Sequence, residues 1–134
     1  LKSKLELLLP GNTINCGGLD TTFHRDDFRR RDKPIAPQFN HMPFLVEGRD
    51  VILVDDVLFT GRTIRAGLDA LLSHGRPETV KLLVLVDRRF QRELPIEPQF
   101  IGKSIDSIDW QYVQVEWSEQ GNSCRVMLLN QKPE

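Results

Sequence analysis

Val51-Ile52-Leu53-Val54-Asp55-Asp56-Val57-Leu58-Phe59-Thr60-Gly61-Arg62-Thr63 decides how this chain is read. Val51 to Val54 is an uninterrupted run of β-branched residues and Leu, the pattern of a strand buried on both faces in a parallel sheet. Asp55 and Asp56 then stand at its carboxyl end, where ligands of open α/β sheets bind. The loop that follows offers the Thr60 and Thr63 hydroxyls and a backbone that Gly61 lets approach closely. A helix starting near Thr63 turns its free N–H groups toward that loop. Two carboxylates beside an anion cradle suit a sugar phosphate. Taken singly, a strand-end Asp is a common turn residue and Thr63 a common helix N-cap; only the joint pattern argues for a site. It is not a Walker A loop, because no Gly-x-x-x-x-Gly-Lys run followed by Ser or Thr occurs.

Downstream, Ile64 to His74 has Ile64, Leu68, Leu71 and Leu72 on one helical face, with Gly75 as a stop. Val80 to Val86 reads as the next buried strand, and two parallel strands joined by a helix make a right-handed crossover. Asp87-Arg88-Arg89 ends that strand, so the same strand-end logic brings Arg88 near a ligand. Tyr112, Val113 and Val115 suggest a further strand, and Cys124 to Leu129 an edge strand after the Gly121-Asn122 turn.

Upstream, Leu1, Leu5, Leu8 and Leu9 share one face of an amphipathic helix that Pro10-Gly11-Asn12 stops. Ile14 to Phe23 reads as a strand with polar interruptions. Arg25 to Pro43 carries the basic run Arg29-Arg30-Arg31 with Lys33, and Pro34, Pro37 and Pro43 exclude regular structure. An irregular stretch of that length inside a domain suits an active-site lid. Its arginines read either as a solvated loop or as contacts for a polyanion.

Composition bounds the answer without deciding it. A chain of 134 residues, 40% apolar and 28% charged, is one domain able to bury a core. A formal net charge of −1 gives no global attraction for nucleic acid, so any RNA site depends on local clusters of Arg and Lys. Cys16 and Cys124 have no zinc spacing and read as reduced core residues in a cytoplasmic setting. His24, His41 and His74 lie far apart and suggest no metal site. The apolar runs are too short for a membrane span, and the start is not a signal peptide.

The stretch from Val51 to Thr63 resembles the phosphoribosyl diphosphate (PRPP) signature of type I phosphoribosyltransferases. Beyond it, Arg65 to Leu71, His74-Gly75-Arg76-Pro77, Leu83 to Arg88, Arg92-Glu93-Leu94-Pro95-Ile96 and Phe100-Ile101-Gly102-Lys103 are similar to the pyrimidine operon attenuation regulators. Leu19-Asp20-x-Thr22-x-x-Arg25-Asp26-Asp27 matches upstream. The resemblance implies a central, mainly parallel twisted sheet flanked by helices, with a small hood and a flexible active-site loop. It implies uracil phosphoribosyltransferase activity, uracil and PRPP giving UMP and pyrophosphate, together with UMP-dependent binding of a messenger RNA leader.

Carried onto this chain, the resemblance gives Asp55 and Asp56 the ribose hydroxyls and the catalytic role. Val57, Leu58, Phe59, Thr60, Gly61, Arg62 and Thr63 complete the PRPP loop, with Thr60 to Thr63 on the 5′-phosphate. Arg88 and the backbone near Val113 would meet the base, Arg25 the pyrophosphate, and Arg89, Arg92 and Lys103 the RNA. Two departures accompany it: Arg89-Phe90-Gln91 replaces a shorter Gly-His segment, and Ile105 to Asp109 differs from the usual approach to its strand. Magnesium is implied, bound with PRPP through substrate phosphates and water rather than in an all-protein cage. Family habit implies a homodimer or larger assembly, and the chain is expected to lack the family's N-terminal helix, first strand and pyrophosphate loop. Two further readings remain, a dedicated nucleobase transferase without RNA regulation and a nucleotide-sensing regulator without turnover.

Overall fold

Strand β1 runs from Asp50 to Leu58, past the apolar run that announces it. The computed structural model describes residues 1–21, 41–118 and 123–130. In chain order the elements are α1 (Lys2–Leu8), β1, α2 (Arg62–Leu72), β2 (Thr79–Arg89), β3 (Phe100–Asp106), β4 (Tyr112–Glu116) and β5 (Arg125–Leu129). β1, β2 and β3 form one sheet in that order, and β4 and β5 a two-stranded one. β2 and β3 pair in parallel, with Val84 beside Ile101 and Asp87 beside Ser104. β4 and β5 pair antiparallel, with Val113 opposite Leu128. This is the α/β class that the sequence implies.

The described residues fall into two compact units, Leu1–Val51 with Arg65–Val80, and Ile52–Ile64 with Lys81–Glu134. In the first, Val46, Ala66, Ala70 and Leu71 are buried. Polar ties align the entrances of β1 and β2: Thr79 Oγ1 donates to Asp50 Oδ1 at 2.5 Å and the Glu78 N–H to the Arg49 carbonyl at 2.9 Å.

In the second unit, Leu82, Val84, Val86 and Arg88 alternate into buried positions along β2, the period of two expected of a strand. Burying each apolar member stabilises the fold by roughly 1.5–3 kcal/mol. The start of β3 is pinned to β2 at one residue. Gln99 Oε1 accepts from the Leu82 N–H at 2.7 Å, and the Gln99 N–H donates to the Leu82 carbonyl at 2.9 Å. Gly102 lets the strands close: a Cβ there would stand 2.6 Å from the Leu85 carbonyl oxygen, nearer than a side chain tolerates.

Several sequence expectations need correction. β1 is not buried on both faces; Ile52 and Val54 are about half exposed, because an unbroken apolar run cannot say whether both faces are covered. β1 continues past the apolar run through Asp55 and Asp56 to Leu58, so the pair stands in its carboxyl-terminal half. The buried face of α2 is Ile64, Ala66, Ala70 and Leu71, while Leu72 is exposed. Over the described part of Ile14 to Phe23 only an isolated bridge forms, Gly18 to His41, since the polar interruptions leave no alternating face to bury. α1 forms, but none of its residues is buried. Both cysteines are exposed rather than core, and Cys124 Sγ accepts from the Ser118 N–H. Among the described residues no helix is long and apolar enough to cross a membrane.

Candidate active site

The site grows from the second half of β1. Strand geometry sends successive side chains to opposite faces, so Asp55 shares a face with Leu53 and Val57, and Asp56 with Val54 and Leu58. Each carboxylate leans onto the peptide that follows it. Asp55 Oδ1 accepts from the Asp56 N–H at 3.0 Å, and Asp56 Oδ1 from the Val57 N–H at 2.7 Å. Burial raises the Asp55 carboxyl to about 6; the N–H of Asp56 opposes that rise and the neighbouring Asp56 charge adds to it. A carboxylate poised at that value carries its charge at neutral pH but holds it against desolvation, a common condition at functional sites.

Beyond Leu58 the chain turns into α2. Gly61 sits at φ +92°, a left-handed conformation that glycine adopts without steric cost. Thr60 Oγ1 accepts from the Arg62 N–H at 3.3 Å, closing the turn locally. α2 begins at Arg62, so Thr63 lies in its first turn rather than at the N-cap, and the helix N-terminus faces the loop as expected. The outer side of the loop rests on the segment from Arg92 to Ile96. The Glu93 and Leu94 N–H groups donate to the Thr60 carbonyl at 2.9 and 3.2 Å, and Arg62 Nε meets Glu93 Oε2 at 2.5 Å.

Arg88 is 3% exposed, which settles its environment. Its Nε donates to Ser107 Oγ at 2.8 Å, and its Nη2 to Gln91 Oε1 at 3.2 Å and the Ile108 carbonyl at 3.3 Å. The guanidinium lies over the Phe59 ring, 3.8 Å from the centroid. Burial draws its pKa below the usual arginine range, and the Asp109 charge opposes that shift. Arg88 therefore joins the PRPP-like loop to the turn that leads into β4. Val113, in β4, is buried.

The residues expected to meet RNA separate. Arg89 is half exposed and paired with Asp106 at 2.5 Å, and its guanidinium lies 5.5 Å from the ring centroid of Phe90. Phe90 is itself 78% exposed. Lys103 is an exposed residue of β3. Arg92 differs: its Nη2 meets Asp87 Oδ1 at 2.5 Å and its Nη1 donates to the Phe59 carbonyl at 2.6 Å. Arg25 lies outside the described residues.

Among the described residues no group of three or more His, Cys, Asp or Glu could hold a metal ion. Asp55 and Asp56 supply hard oxygen donors of the kind magnesium accepts alongside substrate phosphates and water. Sequence reasoning missed Asp87, Glu93 and Ser107 as members of this neighbourhood. Asp87 was findable by the strand-end logic that picked out Arg88; Glu93 and Ser107 carry no local signal.

A family model described as phosphoribosyl transferase domain matches residues 13–120. The chain is 41% identical over 120 residues to a protein named bifunctional protein PyrR from Geobacter sp. (strain M21), covering 90% of this chain and 67% of that one. It is 48% identical over 106 residues to the PyrR of Brevibacillus brevis, covering 79% and 59%. The chain thus spans about three fifths to two thirds of the length of these relatives. Among solved structures, a hypoxanthine-guanine phosphoribosyltransferase from Bacillus anthracis aligns with a TM-score of 0.47 at 22% identity, over 54% of this chain and 40% of that one.

Proposed function

The chain belongs to the phosphoribosyl transferase domain family, and on that premise we propose that it transfers the phosphoribosyl group of PRPP to uracil, releasing pyrophosphate and UMP. The observation that carries the reading is the β1 carboxylate pair running directly into a glycine-turned loop at a helix N-terminus. In this reading Asp55 and Asp56 hold the ribose hydroxyls, and the loop from Thr60 to Thr63 holds the 5′-phosphate. Uracil N1 attacks ribose C1 as pyrophosphate leaves. Positive charge develops on the ring, and the fixed carboxylates stabilise it without a covalent protein nucleophile. Magnesium, bound through the PRPP oxygens near Asp55 and Asp56, would neutralise the pyrophosphate leaving group. Arg88, fixed against Phe59 and Ser107, lines the base side of the loop, with the backbone near Val113 reading the uracil edge.

The relatives are named bifunctional proteins, and the second activity proposed for this chain, resting on its resemblance to the attenuation regulators, is UMP-dependent binding of a messenger RNA leader. Arg89 and Lys103 are its exposed cations, with Phe90 as an aromatic surface on which an unpaired base could stack. The test of the first activity is radiolabelled uracil with PRPP and magnesium, with hypoxanthine and orotate as rival bases. UMP formed from uracil alone is the expected result. Turnover with another base, or with none, would replace it by a different transferase or by a sensor without turnover.

A further inference from the structure

We propose that Arg92, held by Asp87, is a positioning residue that aims the backbone N–H groups of the phosphate loop; this rests on the reading of that loop as the PRPP site. Arg92 and Asp87 lie outside the Val51 to Thr63 stretch, yet their ion pair is among the least exposed here, with side chains 23% and 10% exposed. Asp87 stands at the end of β2, where a carboxylate so deeply placed requires a partner, and Arg92 supplies it. The other arm of the same guanidinium holds the Phe59 carbonyl at 2.6 Å. The next carbonyl, that of Thr60, is held from the same segment by the Glu93 and Leu94 N–H groups.

Two consecutive loop carbonyls are therefore fixed toward residues 92 to 94. A trans peptide is planar, with its C=O and N–H pointing in opposite directions. Fixing the Phe59 carbonyl fixes the Thr60 N–H on the far side, and fixing the Thr60 carbonyl does the same for the Gly61 N–H. The described backbone contains no cis peptide. Both N–H groups are thus turned away from the bracing segment, and successive backbone N–H groups of a turn can bind anions. The Leu94 and Ile96 side chains lie beneath Gly61, where a Cβ would stand 3.5 Å from Leu94 Cβ and 3.3 Å from Ile96 Cδ1, so packing supports the same orientation. The planar fork of arginine suits this task, since one rigid group spans the carboxylate and the carbonyl at once.

The experiment compares the full chain with Arg92→Met, Arg92→Lys and Asp87→Asn. It measures thermal unfolding, PRPP binding by calorimetry with magnesium, and the amide resonances of Thr60 and Gly61 during titration with inorganic phosphate. Arg92→Met is expected to weaken PRPP binding roughly ten- to a hundredfold and to abolish the phosphate-induced shifts of both amides, while Arg92→Lys recovers part of each. A folded Arg92→Met variant that binds PRPP as the parent does overturns the inference while leaving the PRPP site intact. A lowered unfolding temperature with unchanged PRPP affinity overturns it too, because it marks the pair as structural only. A parent chain that binds no PRPP removes the PRPP site and the inference with it. If Arg92→Met does not fold, Arg92→Lys and Asp87→Asn decide by the same readouts.

Discussion

The Arg88 guanidinium lies over the Phe59 ring, 3.8 Å from its centroid, and ties the end of β2 to the loop after β1. The Phe59 ring thereby packs the loop against the buried arginine. Because the guanidinium is buried and hydrogen-bonded to Ser107, the contact is desolvated and worth about 1–2 kcal/mol.

Phe59→Leu should therefore lower stability by roughly that amount, read as a shift in the urea midpoint with the slope unchanged. Arg88→Met should cost more, about 2–4 kcal/mol, since it leaves Ser107 Oγ and the Ile108 carbonyl without their donor. The same variant should raise the KM for the base more than that for PRPP. Equal losses in both would remove Arg88 from the base side.

Asp55 gives a pH dependence with a definite sign. In the folded protein its carboxyl is protonated up to about 6, whereas in the unfolded chain it ionises at about pH 4. The folded state binds the extra proton in that window, so this contribution to stability is present below pH 4 or so and is lost as pH rises through about 6. Asp55→Asn should consequently stabilise the fold at pH 7 by an amount of order 1–3 kcal/mol, read as a higher unfolding temperature, and should leave stability nearly unchanged at pH 3.5 or so. It should also greatly reduce turnover. In the parent, kcat/KM should fall on the acid side of about pH 6, and a profile flat down to about pH 5 would contradict the role given to Asp55.

Gly61→Ala tests the loop backbone. An L-residue at φ +92° costs about 1–2 kcal/mol, and the added methyl would press on Ile96 Cδ1 at 3.3 Å. The expected outcome is a modest fall in unfolding temperature with a larger loss of PRPP affinity, measured on the same sample by calorimetry.

For RNA, Arg89→Ala and Lys103→Ala should each lower affinity for a leader hairpin and reduce the slope of log K against log salt by about one. Both should leave uracil turnover unchanged. Phe90→Ala should weaken binding with little change in that slope, since base stacking carries no charge. Binding that ignores UMP and all three substitutions would leave the transferase without a regulatory partner.

The sequence by itself determined the strand, carboxylate pair, glycine turn and helix from Val51 to Leu72, and the strand that carries Arg88. Those features rest on local rules, in which apolar runs, turn residues and helical period act over a few neighbours. β3 was not legible, because Phe100 to Asp106 mixes Gly102, Lys103 and Ser104 into its apolar residues and becomes a strand by pairing with β2. Nor could the sequence say that Ile52 and Val54 would stay half exposed, since an apolar run does not record what covers it. Only the tertiary structure decided that Arg92, one cation in a basic stretch, turns inward to Asp87 and Phe59 while Arg89 stays at the surface. The reason is that a charge takes its role from the partners that distant parts of the chain bring to it, and such contacts leave no periodic trace in the sequence.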